Sequence, residues 1–259
     1  MESLSYYVEK SIDVLKSIKE PSEETIENLK NRAFIGNGNA FQVAKYYANK
    51  LNGYAIEPTY YKSLKKDEGV CVISASGSKD SIGICKYFDD VVLITCNEDA
   101  PAKKYAKETI VLPSVKEPPF YNVSTYSAMI YWVDRQDYKF REDGLLKYLL
   151  RKPNIIFIGN ESTYPIACMC ALKVREIFGK LSAGLSDMEA YHGWFLHDND
   201  DEAVICLNAD FDLVNNYKIV GTPLELLLTI YYNIGLLQEE LEINDYKYDM
   251  VLKKKGWKI

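Results

Sequence analysis

Residues 34–51 (FIGNGNAFQVAKYYANKL) lie over residues 157–174 (FIGNESTYPIACMCALKV) without a gap, at a constant offset of 123, and seven of the eighteen positions are identical. An internal repeat constrains the fold more than any other feature, because the same local structure must be built twice. Each copy opens on a short apolar run, passes through Gly-Asn, and continues with apolar residues at helical spacing. That pattern is a strand, a loop and a helix. The identities are Phe34/Phe157, Ile35/Ile158, Gly36/Gly159, Asn37/Asn160, Ala44/Ala167, Ala48/Ala171 and Lys50/Lys173, and Phe41/Tyr164 keeps an aromatic.

The rest of the chain fits the same plan. Leu4, Tyr7/Val8, Ile12, Leu15 and Ile18 recur at helical spacing and stop before Pro21, which gives an amphipathic first helix. β-Branched or aromatic runs at 33–35, 70–73, 91–95 and 109–112 alternate with segments at 41–51 and 78–88 that suit helices. Alternation of this kind implies a parallel sheet with crossover helices. A helix is expected over 124–133, and the charged stretch 134–143 is the linker candidate, which places a first domain at 1–140 and a second at 141–259. Strands follow at 155–158, 203–207 and 218–220. Thr222-Pro223-Leu224-Glu225 sets a capping hydroxyl, a proline and a carboxylate at the start of a helix that runs to Leu241, expected to pack on the second sheet with Tyr231 and Tyr232 as core residues.

Composition narrows the class. The 259 residues are 47% hydrophobic and 26% charged with only 9 Pro and 14 Gly, which excludes disordered and collagenous chains. With 31 basic against 37 acidic residues the net charge is −6, so the global field repels phosphate backbones and anionic lipid; neither nucleic acid nor membrane is an expected partner. Six cysteines (71, 85, 96, 168, 170 and 206) show no zinc-finger spacing and read as small core residues of a reducing compartment. The N-terminus lacks a basic stretch followed by an apolar one. The apolar segment 224–237 is interrupted by Glu225, Thr229 and Asn233 and is short of the ~20 residues that a membrane span needs. A cytoplasmic protein is expected.

Several segments could carry chemistry. Gly36-Asn37-Gly38 stands between a strand and a helix, but Phe41 fills the third glycine position of a dinucleotide fingerprint and Glu57 lies in a proline-containing stretch, so no nicotinamide cofactor is inferred. Ser74-Ala75-Ser76-Gly77-Ser78-Lys79 follows the buried run 70–73 and enters a helix. Hydroxyls and backbone amides so placed form an anion site, and equally a serine-rich capping turn. Lys173 and Glu176 are three apart on one helix face, and His192 follows sixteen residues after Glu176. Together they could supply an electrostatic clamp, a base and a proton carrier for enolisation, or be a surface ion pair and a solvated histidine. Ser186-Asp187-Met188-Glu189 reads as a capping box, which gives Glu189 a structural role of its own.

These residues resemble the sugar isomerase (SIS) family of phosphosugar-binding proteins, in particular the isomerase half of the glutamine–fructose-6-phosphate amidotransferases. The stretch 157–193, FIGNESTYPIACMCALKVREIFGKLSAGLSDMEAYHG, is similar to the family's F-x-G, Y-P-x-A, A-L-K-x-K-E and E-x-x-H-G series in one register. Ser74-Ala75-Ser76-Gly77 resembles the S-x-S-G phosphate loop, residues 94–101 resemble I-T-N-x-x-x-S-P, and Ser124-Thr125 resembles a pair that faces the sugar. The resemblance implies an α/β fold of two tandem SIS domains, each a flavodoxin-like parallel sheet flanked by helices. It implies that Ser74, Ser76, Gly77, Ser78 and Lys79 hold the substrate phosphate, and that Gly38, Ser124, Thr125, Glu189 and Lys254 line the sugar. Glu176 would shuttle the proton between C1 and C2, Lys173 would sit near the reacting oxygens, and His192 would open the ring, supplied across a homodimer with a shared active site. No metal or organic cofactor is implied.

The chain also departs from the family pattern. Ala40 stands where a hydroxyl is usual, Lys79 where a threonine is usual, Met169 at an often acidic position, and Trp194 where a proline follows His-Gly. Lys79 can replace a neutral hydrogen bond by a charge-assisted one. The first cysteine is Cys71 and no glutaminase segment precedes the first helix, so no glutamine hydrolysis is expected. The function implied is a phosphosugar isomerase acting on a hexose or aminosugar 6-phosphate through an enediol or enolamine, or a related deaminase or deglycase. A non-catalytic phosphosugar sensor is the alternative.

Overall fold

The β-branched runs that the sequence exposes are buried on both faces in the computed structural model, which describes residues 2–118, 120–193 and 201–243. The chain divides into two compact units. The first comprises Lys10–Glu117 and Ser124–Gln136, and the second comprises the N-terminal residues to Glu9, Pro118–Val123 and the chain from Asp137 onward.

The first unit carries a wholly parallel five-stranded sheet of β1 (Ala33–Ile35), β2 (Tyr54–Ile56), β3 (Val70–Ile73), β4 (Val91–Thr95) and β5 (Glu108–Val111), in the order β2-β1-β3-β4-β5. Every residue of β1, β3 and β4 is buried, as a sheet covered on both faces requires. On one face Ile35, Val72, Ile84, Phe88 and Leu93 form an apolar cluster that includes α4 (Asp80–Tyr87). On the other, Phe34 packs edge-on against Tyr47 of α3 (Asn39–Lys50), which stacks on Trp132 of α5 (Val123–Val133). Helices α1 (Leu4–Ser17) and α2 (Glu23–Leu29) precede this sheet in the chain, and short 3-10 turns occupy Pro58–Ser63 and Pro101–Tyr105. The strand order reverses between β1 and β3. In an open parallel sheet the crevice outside the carboxyl ends of the strands at such a point is where ligands bind.

The second unit has a parallel four-stranded sheet of β6 (Asn154–Gly159), β7 (Leu181–Ser186), β8 (Glu202–Leu207) and β9 (Tyr217–Ile219), in the order β7-β6-β8-β9. Its helices are α6 (Gly144–Leu149), α7 (Tyr164–Phe178), α8 (Asp187–Tyr191) and α9 (Pro223–Glu240). The order repeats the β2-β1-β3-β4 part of the first sheet, with β6–α7 in the place of β1–α3. The repeat holds to atomic detail. A Cβ on Gly36 would lie 2.3 Å from the Ala40 carbonyl oxygen, and one on Gly159 would lie 2.6 Å from that of Thr163. Both pairs are in the register of the sequence repeat, so both glycines are required by the first turn of a helix folding back on its strand.

Three expectations are corrected. The edge strand expected at 109–112 lies one residue earlier, at Glu108–Val111. The last helix does carry its capping box at Thr222 and Glu225, but α9 packs against α7 and α6 rather than on the sheet, because α7 already covers β6 and β7. Strands β2 and β7 and helices α2 and α6 had no counterpart in the sequence reading, and α8 had one only in its capping box. Tyr231 is wholly buried, as expected of a core residue, whereas Tyr232 is partly exposed beside Phe140. Residues 135–143 carry no helix or strand. No helix among the described residues is long and apolar enough to cross a membrane.

Candidate active site

In the first unit the loop from β3 to α4 is tied to the end of β4 by its carbonyls. Ala75 O accepts from Cys96 N at 3.3 Å and from Thr95 Oγ1 at 3.0 Å, Ser76 O accepts from Asn97 Nδ2 at 3.0 Å, and Gly77 O accepts from Ala102 N at 2.9 Å. The Ser76 and Ser78 hydroxyl oxygens lie 2.7 Å apart, and Ser74 Oγ accepts from Gly77 N at 3.1 Å. The loop's carbonyls are thus held by the end of β4 and the residues after it, while the Gly77 amide and the three serine hydroxyls pair with one another inside the loop.

Lys79 ends the loop as the N-cap of α4 with φ 52° and ψ −118°. Gly38 is the N-cap of α3 with nearly the same backbone, φ 57° and ψ −125°. For glycine this conformation is free, and for lysine it is strained. The two residues border one open cavity of about 660 Å³ at the β1/β3 switch point, together with Asn37, Gln42, Glu57 and Asp80. The structure therefore brings Gly38 and Lys79 together, while Ser74, Ser76, Gly77 and Ser78 lie on the adjoining loop outside that lining. Ala40 is buried in the first turn of α3.

Ser124 and Thr125 start α5 and are buried, with their polar groups on Glu117. Glu117 Oε1 accepts from Ser124 Oγ at 2.8 Å, Ser124 N at 3.1 Å, Thr125 N at 3.3 Å and Thr125 Oγ1 at 3.4 Å. Sequence reasoning passed over this carboxylate, which stands seven residues ahead of Ser124, beyond the reach of a local capping pattern. Beside it the Cys96 thiol, whose sulfur lies 3.8 Å from Thr125 O, is pushed up to about 12 by burial.

In the second unit α7 is enclosed between the sheet and α9, so a polar residue on its inner side is taken out of water. Lys173 is that residue, with no exposed surface. Its ammonium donates to Glu176 Oε2 at 2.6 Å and to the Phe120 carbonyl, and sits 5.6 Å from the centre of the Tyr231 ring. Three contacts answer the cost of burying the charge. Glu176 keeps 15% of its side chain exposed, so the pair is not the solvated surface pair that spacing alone allows. Met169 is buried on the same helix, and its carbonyl accepts from Tyr231 Oη at 3.3 Å.

Glu189 forms the capping box expected of it, accepting from Ser186 N at 2.8 Å and from Ser186 Oγ at 3.0 Å. Its carboxylate is thus engaged at the start of α8. His192 ends that helix, exposed, with its backbone N–H donating to Met188 O and Glu189 O. Lys254 and Trp194 lie outside the described residues. Among the described residues no cluster of three His, Cys, Asp or Glu side chains could hold a metal ion.

No family model and no curated protein sequence matches the chain. Solved structures do. Glucosamine-6-phosphate deaminase from Thermotoga maritima is 12% identical with a TM-score of 0.67, covering 92% of each chain. Tagatose-6-phosphate ketose/aldose isomerase from Escherichia coli is 14% identical with a TM-score of 0.62, over 94% of this chain and 91% of that one. The C-terminal domain of glucosamine-fructose-6-phosphate aminotransferase from Francisella tularensis is 13% identical with a TM-score of 0.61, over 91% and 94%. The likeness runs through nearly the whole of both chains in every case, and the fold of this protein is the SIS-type fold of the phosphosugar isomerases and deaminases.

Proposed function

We propose that the chain is an SIS-family phosphosugar isomerase, acting on a hexose or aminosugar 6-phosphate by proton transfer through an enediol or enolamine. Deamination and deglycation start from the same abstraction and belong to the same reading. The two sheets are read as the cores of two tandem SIS domains, with the boundary in the sequence near residue 140. The observation that carries the proposal is the Lys173–Glu176 pair, in which a fully buried lysine holds the carboxylate of a glutamate whose side chain keeps 15% of its surface exposed. A base so held is oriented before substrate arrives, which is the larger part of what a positioned carboxylate contributes.

In this reading Glu176 removes the proton from one of the two carbons beside the carbonyl and returns it to the other. Lys173 fixes the carboxylate and offsets the negative charge that develops on the substrate oxygens. The β3–α4 loop, with Ser74, Ser76, Gly77, Ser78 and Lys79, holds the phosphate, and Gly38 allows backbone approach at α3. His192 opens the ring, contributed across a homodimer, with Ser124, Thr125, Glu189 and Lys254 beside the sugar. Support comes from the fold and from the place of the loop at the carboxyl end of β3 and the start of α4.

The test is proton exchange followed by NMR in deuterium oxide with fructose 6-phosphate, glucose 6-phosphate and glucosamine 6-phosphate. Exchange at C1 or C2 that disappears in Glu176→Gln supports enolisation, and released ammonium marks deamination. Binding across the panel with no exchange in the wild type would move the reading to a phosphosugar sensor.

A further inference from the structure

The sequence holds two Asn-Gly steps, Asn37-Gly38 in the β1–α3 loop and Asn52-Gly53 between α3 and β2. At such a step the backbone nitrogen of glycine can attack the side-chain carbonyl carbon of asparagine, because no Cβ hinders it. The N–Cγ bond forms, ammonia leaves, and water opens the resulting succinimide at either carbonyl to give aspartate or isoaspartate. The attack needs both the nitrogen and the side chain to be available. At Asn52 the nitrogen is engaged: Gly53 N donates to Ala48 O at 3.0 Å, and a Cβ on Gly53 would lie 2.4 Å from the Arg32 carbonyl oxygen. At Asn37 neither restraint exists. Among the described residues Gly38 N–H donates no hydrogen bond, and a Cβ on Gly38 would meet nothing within 4 Å.

The internal repeat supplies a second comparison. Asn160 stands at the position of Asn37 with its side chain fixed: Oδ1 accepts from the N–H and O–H of both Ser162 and Thr163, and Nδ2 donates to Asn208 O at 3.0 Å. Among the described residues the Asn37 side chain makes one hydrogen bond, from Nδ2 to Asp80 Oδ2 at 3.3 Å, and Asn37 is exposed where it borders the open cavity. We propose that Asn37 is a site of spontaneous deamidation in the folded protein, and that the modification weakens binding of anions at that cavity. Either product puts a carboxylate where Asn37 now donates to Asp80, so that two like charges face each other. The isoaspartyl product also adds a methylene to the main chain of a turn in which Gly36 leaves no room for a Cβ against Ala40 O. That the anion is a sugar phosphate rests on the function proposed above; that Asn37 deamidates does not.

The full chain is incubated at mildly alkaline pH, folded and in urea, and the peptides that hold Asn37 and Asn52 are followed by mass spectrometry, with isoaspartate read by enzymatic methylation. In urea the two sites should convert at similar rates. In the folded protein Asn37 should convert about tenfold or more faster than Asn52, where the Gly53 N–H must first leave its acceptor. Aged wild type and Asn37→Asp should bind glucose 6-phosphate several-fold more weakly than fresh wild type in calorimetric titrations, whereas Asn37→Gln should bind equally before and after ageing. An Asn37 that stays intact in the folded protein, or equal rates at the two sites there, overturns the modification site. A converted protein that binds as tightly as the fresh one overturns the effect on the cavity. If fresh wild type binds neither glucose 6-phosphate nor glucosamine 6-phosphate, the phosphosugar reading fails and the effect on binding with it, while the mass measurement still decides the fate of Asn37.

Discussion

Lys173 and Glu176 stand one turn apart on α7 with 2.6 Å between Nζ and Oε2, the lysine wholly buried and the glutamate side chain partly exposed. The pair therefore has a structural end and a working end, and substitutions at the two should differ. Lys173→Met removes the donor to both Glu176 and the Phe120 carbonyl, and is expected to cost about 3–5 kcal/mol, as for other buried pairs broken from one side. Glu176→Gln keeps an acceptor facing the ammonium and should cost about 1–3 kcal/mol. Urea unfolding of the two variants measures the difference. Equal stability of Lys173→Met and wild type would mean that the pair does not hold α7 in place.

Lys79 is expected to show a trade between stability and binding. Its backbone has the values that Gly38 adopts at the matching cap, and a strained non-glycine residue of this kind costs roughly 1–3 kcal/mol. Lys79→Gly should raise the melting temperature of the free protein and weaken binding of sugar phosphates, because the cation bordering the cavity goes with the side chain. A variant that melts lower, or one that binds as tightly as wild type, would show that the strained lysine does not serve the cavity.

Much of the fold is legible in the sequence where burial alone selects residues. Strands β1, β3 and β4 are apolar on both faces, and the sequence marks their limits to the residue. The edge strand β2 has Tyr54 exposed and no such signature. In β7 the residue pattern answers to packing: a Cβ on Gly184 would lie 2.5 Å from Cys168 N, so close approach to α7 overrides strand propensity. The capping box of Glu189 is local and readable. Glu117 stands seven positions before Ser124, and nothing in local spacing announces their contact. The spacing of Lys173 and Glu176 is plain, but only the packing of α9 on α7 reveals that the pair is buried.

The cysteines give a pH prediction. Burial pushes the thiols of Cys85 and Cys96 up to about 12 and that of Cys206 up to about 11. Only the thiolate alkylates, so at pH 8 the native protein should take up no iodoacetamide at these three positions and should take it up at all three in urea. The same shifts act on stability. The folded state holds its thiol protons at pH values where the unfolded chain, with an ordinary cysteine pKa near 8.5, has lost them. Stability is therefore full below about pH 8.5 and declines as pH rises toward 11–12. Native-state labelling of Cys85 at pH 8, read by mass spectrometry, would contradict the burial on which this rests.

Two helical glycines should respond to alanine with opposite signs. Gly235 lies within α9, where a Cβ would stand 1.9 Å from Ser5 N and 2.8 Å from the Leu4 carbonyl carbon. Those are backbone atoms and cannot swing aside. The contact is also clamped, since Leu4 N donates to Gln238 Oε1 at 3.1 Å and the Ser3 and Ser5 hydroxyls donate to Glu239. Gly235→Ala must push the N-terminal turn off α9, and is expected to destabilise by about 1–3 kcal/mol or more and to speed hydrogen exchange at the Leu4 amide. Gly83 lies within α4, and a Cβ there meets nothing within 4 Å. With no clash to oppose it, the helical preference for alanine should stabilise Gly83→Ala by about 0.4–1 kcal/mol. Thermal melts of the two variants side by side separate a glycine kept for close approach from one that is not, and a Gly235→Ala protein as stable as wild type would show that the first turn of α1 does not seat on α9.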